Sequence, residues 1–81
     1  MANIAGSKRL SEIVKGKVER ARYYDNNLIF RYEGDENWYW VVNEAGERIS
    51  QDYREKILAK AGAGNKEVID FLLDLVSKEK E

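Results

Sequence analysis

Three turn signals punctuate the stretch from Lys17 to Ile49, spaced as the turns of a small antiparallel sheet. Asn26-Asn27 suits a two-residue hairpin loop, because Asn tolerates positive φ. Gly34-Asp35-Glu36-Asn37 reads as a four-residue loop with Asn37 left-handed, and Glu44-Ala45-Gly46 as a three-residue loop with Gly46 left-handed. Counting outward from these turns pairs Tyr24 with Ile29, Tyr23 with Phe30 and Arg22 with Arg31. It also pairs Tyr32 with Tyr39, Arg31 with Trp40, Phe30 with Val41 and Val42 with Arg48. Side chains alternate across a strand with period two. One face therefore receives the row Tyr23–Phe30–Val41–Ile49 with Ala21, Tyr32 and Tyr39 beside it, and this is the face expected beneath helices. The other face receives Arg20, Arg22, Tyr24, Arg31, Trp38, Trp40 and Arg48. A one-residue slip at a loop exchanges the faces of its strand. The rival register, Tyr32 with Trp38 and Phe30 with Trp40, buries both tryptophans and leaves Tyr39 and Val41 outside.

Helices are expected on either side of this segment. Residues 1–6 read as a frayed end. Ser7 caps a short first helix whose Leu10, Ile13 and Val14 share a face, and Gly16 ends it. Ser50 caps a second, with Tyr53, Ile57, Leu58 and Ala61 in one stripe, and Ala61-Gly62-Ala63-Gly64 breaks it. Asn65 caps a third that runs to about Lys78. Its Val68, Ile69, Leu72, Leu73 and Val76 form a wide apolar stripe, extended by Phe71 and Leu75. The expected fold is a single α+β domain of two layers: a three- to four-stranded antiparallel meander with helices on one face, in the order α-β-β-β-(β)-α-α. The third helix either lies centrally or uses Phe71 and Leu75 to form a homodimer.

The composition bears mainly on chemistry. With 81 residues and no cysteine or histidine, the chain has no disulfide, thiolate metal site, Ser-His-Asp site or Cys-His site. No glycine stands in a phosphate-binding context, since Gly62 and Gly64 follow a helix pattern rather than a strand. The carboxylate pairs Asp52/Glu55 and Asp70/Asp74 read as solvated helix faces, and Asp35/Glu36 as solubilising loop charges. No cofactor and no enzymatic activity are expected. No apolar run approaches the roughly 20 residues of a spanning helix, and the first ten residues lack the apolar core of a secretion signal, so a cytoplasmic protein without membrane contact is expected. The formal net charge is only −1, yet the charge is polarised: residues 1–32 hold seven Lys/Arg against three Asp/Glu, and residues 33–81 seven against twelve.

Arg and Trp are enriched where one protein grips another, so the Arg/Trp face reads as a protein-binding surface, with Arg31 stacked on Trp40. The alternative from another class is a platform for single-stranded nucleic acid, which also interleaves aromatic and basic groups. The sequence pI of about 5.5 weighs against it. A purely structural role for the same cation–π contacts is the third possibility. In element order, a helix, then meander strands, then two helices, the chain resembles some small phage anti-CRISPR proteins that inhibit a CRISPR nuclease. That resemblance implies an inhibitor that works by occupying another protein's surface. It carries no residue match, and this chain departs from the strongly acidic DNA mimics of that arrangement.

Overall fold

The computed structural model describes residues 4–51 and 63–79. Four strands form one mixed sheet: β1 (Ile4–Arg9), β2 (Val18–Tyr24), β3 (Asn27–Tyr32) and β4 (Trp38–Val42). One helix, α1 (Ala63–Glu79), lies across one face. In space the strands run β1-β4-β3-β2. The β2/β3 and β3/β4 pairs are antiparallel, as the turn signals predict, whereas β1 lies parallel to β4.

The parallel strand corrects the expected meander and the expected first helix. Ile4–Gly6 belong to β1 rather than to a frayed end, and Ser7 lies within the strand instead of capping a helix. The element order behind the anti-CRISPR resemblance is thereby altered at its first member. Ile4–Arg9 has no alternating apolar residues. Its strand conformation comes from pairing with Trp38–Val42, whose aromatic and β-branched residues suit a pleated surface. A parallel neighbour requires a crossover. Here two 3-10 turns, Leu10–Glu12 and Lys15–Lys17, carry the chain from one edge of the sheet to the other. The apolar spacing at 10, 13 and 14 was real but served this turn: Leu10 and Ile13 are buried, while Val14 is 52% exposed. An i, i+3 pair is the face that a 3-10 turn presents.

The first hairpin turns at Asp25-Asn26, both at positive φ (53° and 64°), and not at Asn26-Asn27. Two left-handed residues are the requirement of a type I′ turn, whose twist matches that of the strands. The observed pairs are Tyr24 with Asn27, Tyr23 with Leu28, Arg22 with Ile29 and Ala21 with Phe30. The second hairpin pairs Phe30 with Tyr39 and Arg31 with Trp38. Its left-handed residue is Gly34 (φ 80°), not Asn37. Both registers thus differ by two residues from expectation, and an even slip leaves every side chain on its expected face. The rival register is excluded. The third turn is as expected, with Gly46 at φ 86° and Val42 bridged to Arg48. Residues 48–50 then insert between the diverging ends of β3 and β4, where Ile49 donates to Val41 (3.1 Å) and accepts from Leu28 (2.8 Å). The fourth meander strand is reduced to these bridges.

The core gathers Leu10, Ile13, Ala21, Leu28, Phe30, Val41, Ile49, Val68, Ile69, Leu72 and Val76. Phe71, Leu73 and Leu75 are half-buried against it. Phe30 is ringed by Tyr32, edge-on at 5.0 Å, and Tyr39 at 5.7 Å. Asn65 does not cap α1, which begins two residues earlier. Its amide donates instead to Glu44 (3.4 Å), whose carboxylate also accepts from the Ser11 hydroxyl (3.0 Å) and backbone (3.2 Å). That one side chain ties the third turn, the crossover and the helix start together. The expected second helix lies on residues 52–61, outside the described residues.

Phe30→Ala and Leu72→Ala are each expected to lower stability by about 2–5 kcal/mol in denaturant melts, the range for large-to-small changes in a packed core. Asn26→Gly relieves a left-handed non-glycine residue, so it is expected to raise the melting temperature by a few degrees, corresponding to about 0.5 kcal/mol. A fall would place the turn elsewhere.

Candidate functional site

The face of the sheet opposite α1 carries two cross-strand rows. One is Arg20–Arg31–Trp38 and the other Arg22–Ile29–Trp40. Strand pairing brings all seven expected residues to this face or its rim. Three guanidiniums converge on Trp38: Arg22 at 4.8 Å, Arg20 at 5.6 Å and Arg31 at 6.0 Å from the ring centroid. Arg48 lies closest of all to an indole, 4.0 Å from the Trp40 centroid, and Tyr24 leans on the same ring at 6.2 Å. The expected Arg31–Trp40 stack is corrected by the two-residue slip, which sets Arg31 opposite Trp38 and leaves Trp40 to Arg48. Cation–π contacts of this kind contribute about 0.5–1 kcal/mol each where exposed, and more where water is excluded.

The face is less open than its sequence suggests. Ile29 is 0% and Trp38 7% exposed, and Val42 is buried as well. None of the three belongs to the cluster beneath α1. They form a thin second apolar layer, in which the flat, weakly hydrated guanidinium faces serve as packing surface. Trp38 is therefore a packing residue. The groups that reach solvent are Tyr24, Arg20 and Arg48, with Arg22, Arg31 and Trp40 half-buried. Ile29 was not among the expected site residues. Its signal, an apolar residue between two apolar neighbours in Leu28-Ile29-Phe30, is that of a strand buried on both faces.

Charge on this face is partly answered from within the chain. Arg20 holds Glu79 through two hydrogen bonds, Nε to Oε1 and a terminal nitrogen to Oε2 at 2.8 Å. The hydrogen bond from Arg20, with the attraction of Arg20, Arg22 and Arg31, keeps the Glu79 carboxyl below its ordinary pKa despite desolvation. The pair wraps the β2 edge and fastens the end of α1 to it. Arg31 pairs with Glu19 at 2.7 Å and donates to the Asp35 carbonyl at 3.0 Å. No carboxylate among the described residues lies within ion-pair distance of Arg22 or Arg48, and the Arg22 Nε is buried without a hydrogen-bond acceptor.

Asp35 is more than a solubilising charge. Its carboxylate accepts the Asn37 backbone N–H (2.9 Å) and the Tyr39 hydroxyl (2.9 Å), closing the loop before β4. The Asn37 bond first, then that of Tyr39, holds the Asp35 pKa below its usual value, while the same contact raises that of Tyr39. Glu36 is exposed, as expected.

The described residues contain no group of three or more His, Cys, Asp or Glu side chains able to hold a metal ion. Among them no helix is long and apolar enough to cross a membrane. No protein-family model, curated protein or solved structure matches this chain.

A carboxyl whose folded pKa is depressed contributes stability above its unfolded pKa and loses it as pH falls through the folded value. Asp35→Ala is therefore expected to melt earlier than wild type at neutral pH. The gap should narrow below about pH 4, the ordinary Asp range, and close once wild-type Asp35 is protonated. Urea melts of both proteins at neutral pH and near pH 2 measure this, and a gap independent of pH would remove the carboxylate's charge from the account.

Proposed function

We propose that this chain is a small non-enzymatic protein-binding module whose contact surface is the Arg/Trp face of the sheet. The observation that carries this reading is the Tyr24–Trp40–Arg48 group, two aromatic rings and a stacked guanidinium side by side on the sheet. Trp, Tyr and Arg are the three residue types that dominate binding hot spots. Strands and stacking hold these side chains in place before any partner arrives, which reduces the ordering cost of association. The buried Ile29 and Trp38 beneath them supply the rigid floor.

The activity implied by the resemblance to anti-CRISPR proteins, inhibition of a larger enzyme, is one form of this function. A domain of 81 residues acts in that way by covering a surface rather than by turning over a substrate. In this reading the module works in the cytoplasm as a monomer, because Phe71 and Leu75, the candidate dimer contacts, pack against the chain's own core. Engagement of Arg20 and Arg31 by Glu79 and Glu19 disfavours the alternative of single-stranded nucleic acid, which needs a track of uncommitted cations.

Affinity capture from the source cell's lysate, with wild type and variants side by side, tests the proposal. Trp40→Ala is expected to weaken retention of the captured protein by about 2 kcal/mol or more, the scale of a central hot spot, with a smaller stability loss of about 1 kcal/mol. Tyr39→Ala, on the α1 side, should lower the melting temperature first. Equal retention by wild type and Trp40→Ala would remove the face from the mechanism. Nuclease-sensitive capture that falls steeply with salt would assign it to nucleic acid instead.

A further inference from the structure

Two guanidiniums, those of Arg22 and Arg48, have no carboxylate partner among the described residues, and they define what kind of surface the face fits. We infer that the partner of the Arg/Trp face is an acidic protein segment that sets carboxylates on Arg22 and Arg48, an inference that rests on the protein-binding reading above.

The four arginines of the cluster are not equivalent. Arg20 and Arg31 are already bound to Glu79 and Glu19. Arg22 and Arg48 each lie over an indole, at 4.8 and 4.0 Å from the ring centroids, with no carboxylate of the described residues in reach. A guanidinium that lies over a ring spends its attraction on the π face and leaves its terminal N–H donors for a further partner. Those donors form a planar fork that matches a carboxylate edge-on with two hydrogen bonds. Arg48 is exposed at the rim. Arg22 is half-buried and has a nitrogen that finds no acceptor. An unmet donor of this sort leaves binding energy available to any group that satisfies it or its neighbours on the same fork.

The charge balance points the same way. Among the described residues, two of the four guanidiniums of the cluster are ion-paired with carboxylates, those of Glu79 and Glu19, and Asp35 stands beside Arg31, on a chain whose net charge is −1. This face is thus locally cationic while the remainder is acidic, which orients an acidic partner towards the face. A carboxylate partner is favoured over a phosphate backbone because Glu19 and Glu79 stand at the arginines. They stand in the way of phosphates held at a fixed spacing along a strand, whereas a glutamate carboxylate at the end of a flexible side chain can reach each fork separately and meet it with two parallel hydrogen bonds.

Trp38 and Trp40 are the only tryptophans of the chain, so their fluorescence reports on this face directly. The 81-residue chain is titrated with decaglutamate, with decalysine, and with a twelve-nucleotide oligothymidylate, at low and physiological salt. Decaglutamate is expected to produce a saturable change, with decalysine silent and the oligonucleotide weaker. Arg48→Gln and Arg22→Gln are each expected to weaken decaglutamate binding at least fivefold. Arg9→Gln, whose arginine is paired with Glu12, should leave it unchanged. Far-UV circular dichroism confirms folding of each variant. Should Arg22→Gln fail to fold, Arg48→Gln, at an exposed position, decides the matter alone. Three results would overturn the inference: no saturable decaglutamate signal, equal weakening by Arg9→Gln, or tighter binding of the oligonucleotide. If decaglutamate fails while lysate capture still depends on Trp40, the face binds a partner of other chemistry. If capture ignores Trp40, the protein-binding reading itself falls.

Discussion

Everything else in the molecule is arranged around β4. It is hydrogen-bonded along both sides, parallel to β1 and antiparallel to β3, and its five residues are all aromatic or β-branched. Tyr39 and Val41 face α1, while Trp38 and Trp40 face away. The strand therefore has a part in both apolar layers: the core centred on Phe30, and the thinner one that hides Ile29. A strand buried on both faces must be covered on both faces. On one side the cover is the shared core, to which the crossover gives Leu10 and Ile13, the third turn Ile49, and the helix, which lies closest to β2, Ile69 and Leu72. On the other it includes arginine side chains, whose guanidiniums lie over the indoles.

In the proposed protein-binding reading, this double duty links stability to recognition. The arginines that screen Trp38 and Trp40 from water are also the charged groups of the face, so the packing that stabilises the sheet also orients the donors. Glu79 and Glu19 tune the result. By engaging Arg20 and Arg31 they reduce a strongly cationic patch to a modest one, and among the described residues Arg22 and Arg48 have no carboxylate within ion-pair distance. Salt bridges at exposed sites stabilise little in themselves. In the proposed reading their consequence is selectivity, through the choice of which guanidiniums stay available.

Small polar contacts hold the loops to this frame. Glu44 spans the crossover and the start of α1, and Asp35 closes the turn that launches β4 against the Tyr39 hydroxyl. Both were indistinguishable in sequence from solubilising charges. What separates them from Glu36 is the position of a neighbour brought near by folding.

Period-two alternation is a local property. It was enough to sort Tyr39 and Val41 from Trp38 and Trp40, and the apolar stripe of Val68, Ile69, Leu72 and Val76 was enough to find α1. Turn chemistry located the hairpins within a residue or two. Because the resulting slips were even, the face assignments of Arg22, Arg31 and Trp40 survived an incorrect register. Contacts were another matter: whether Arg31 or Arg48 lies over Trp40 depends on the β3/β4 register, which the turn at Gly34 and the insertion of residues 48–50 decided together. Nothing local in Ile4–Arg9 marks a strand, since its alternation of exposure is produced by pairing with β4 and not by its own side chains. The sequence by itself determined the faces, through side-chain alternation. The tertiary structure alone decided the parallel strand, the burial of Trp38, and which arginines of the described residues found carboxylates, because each requires groups distant along the chain to meet.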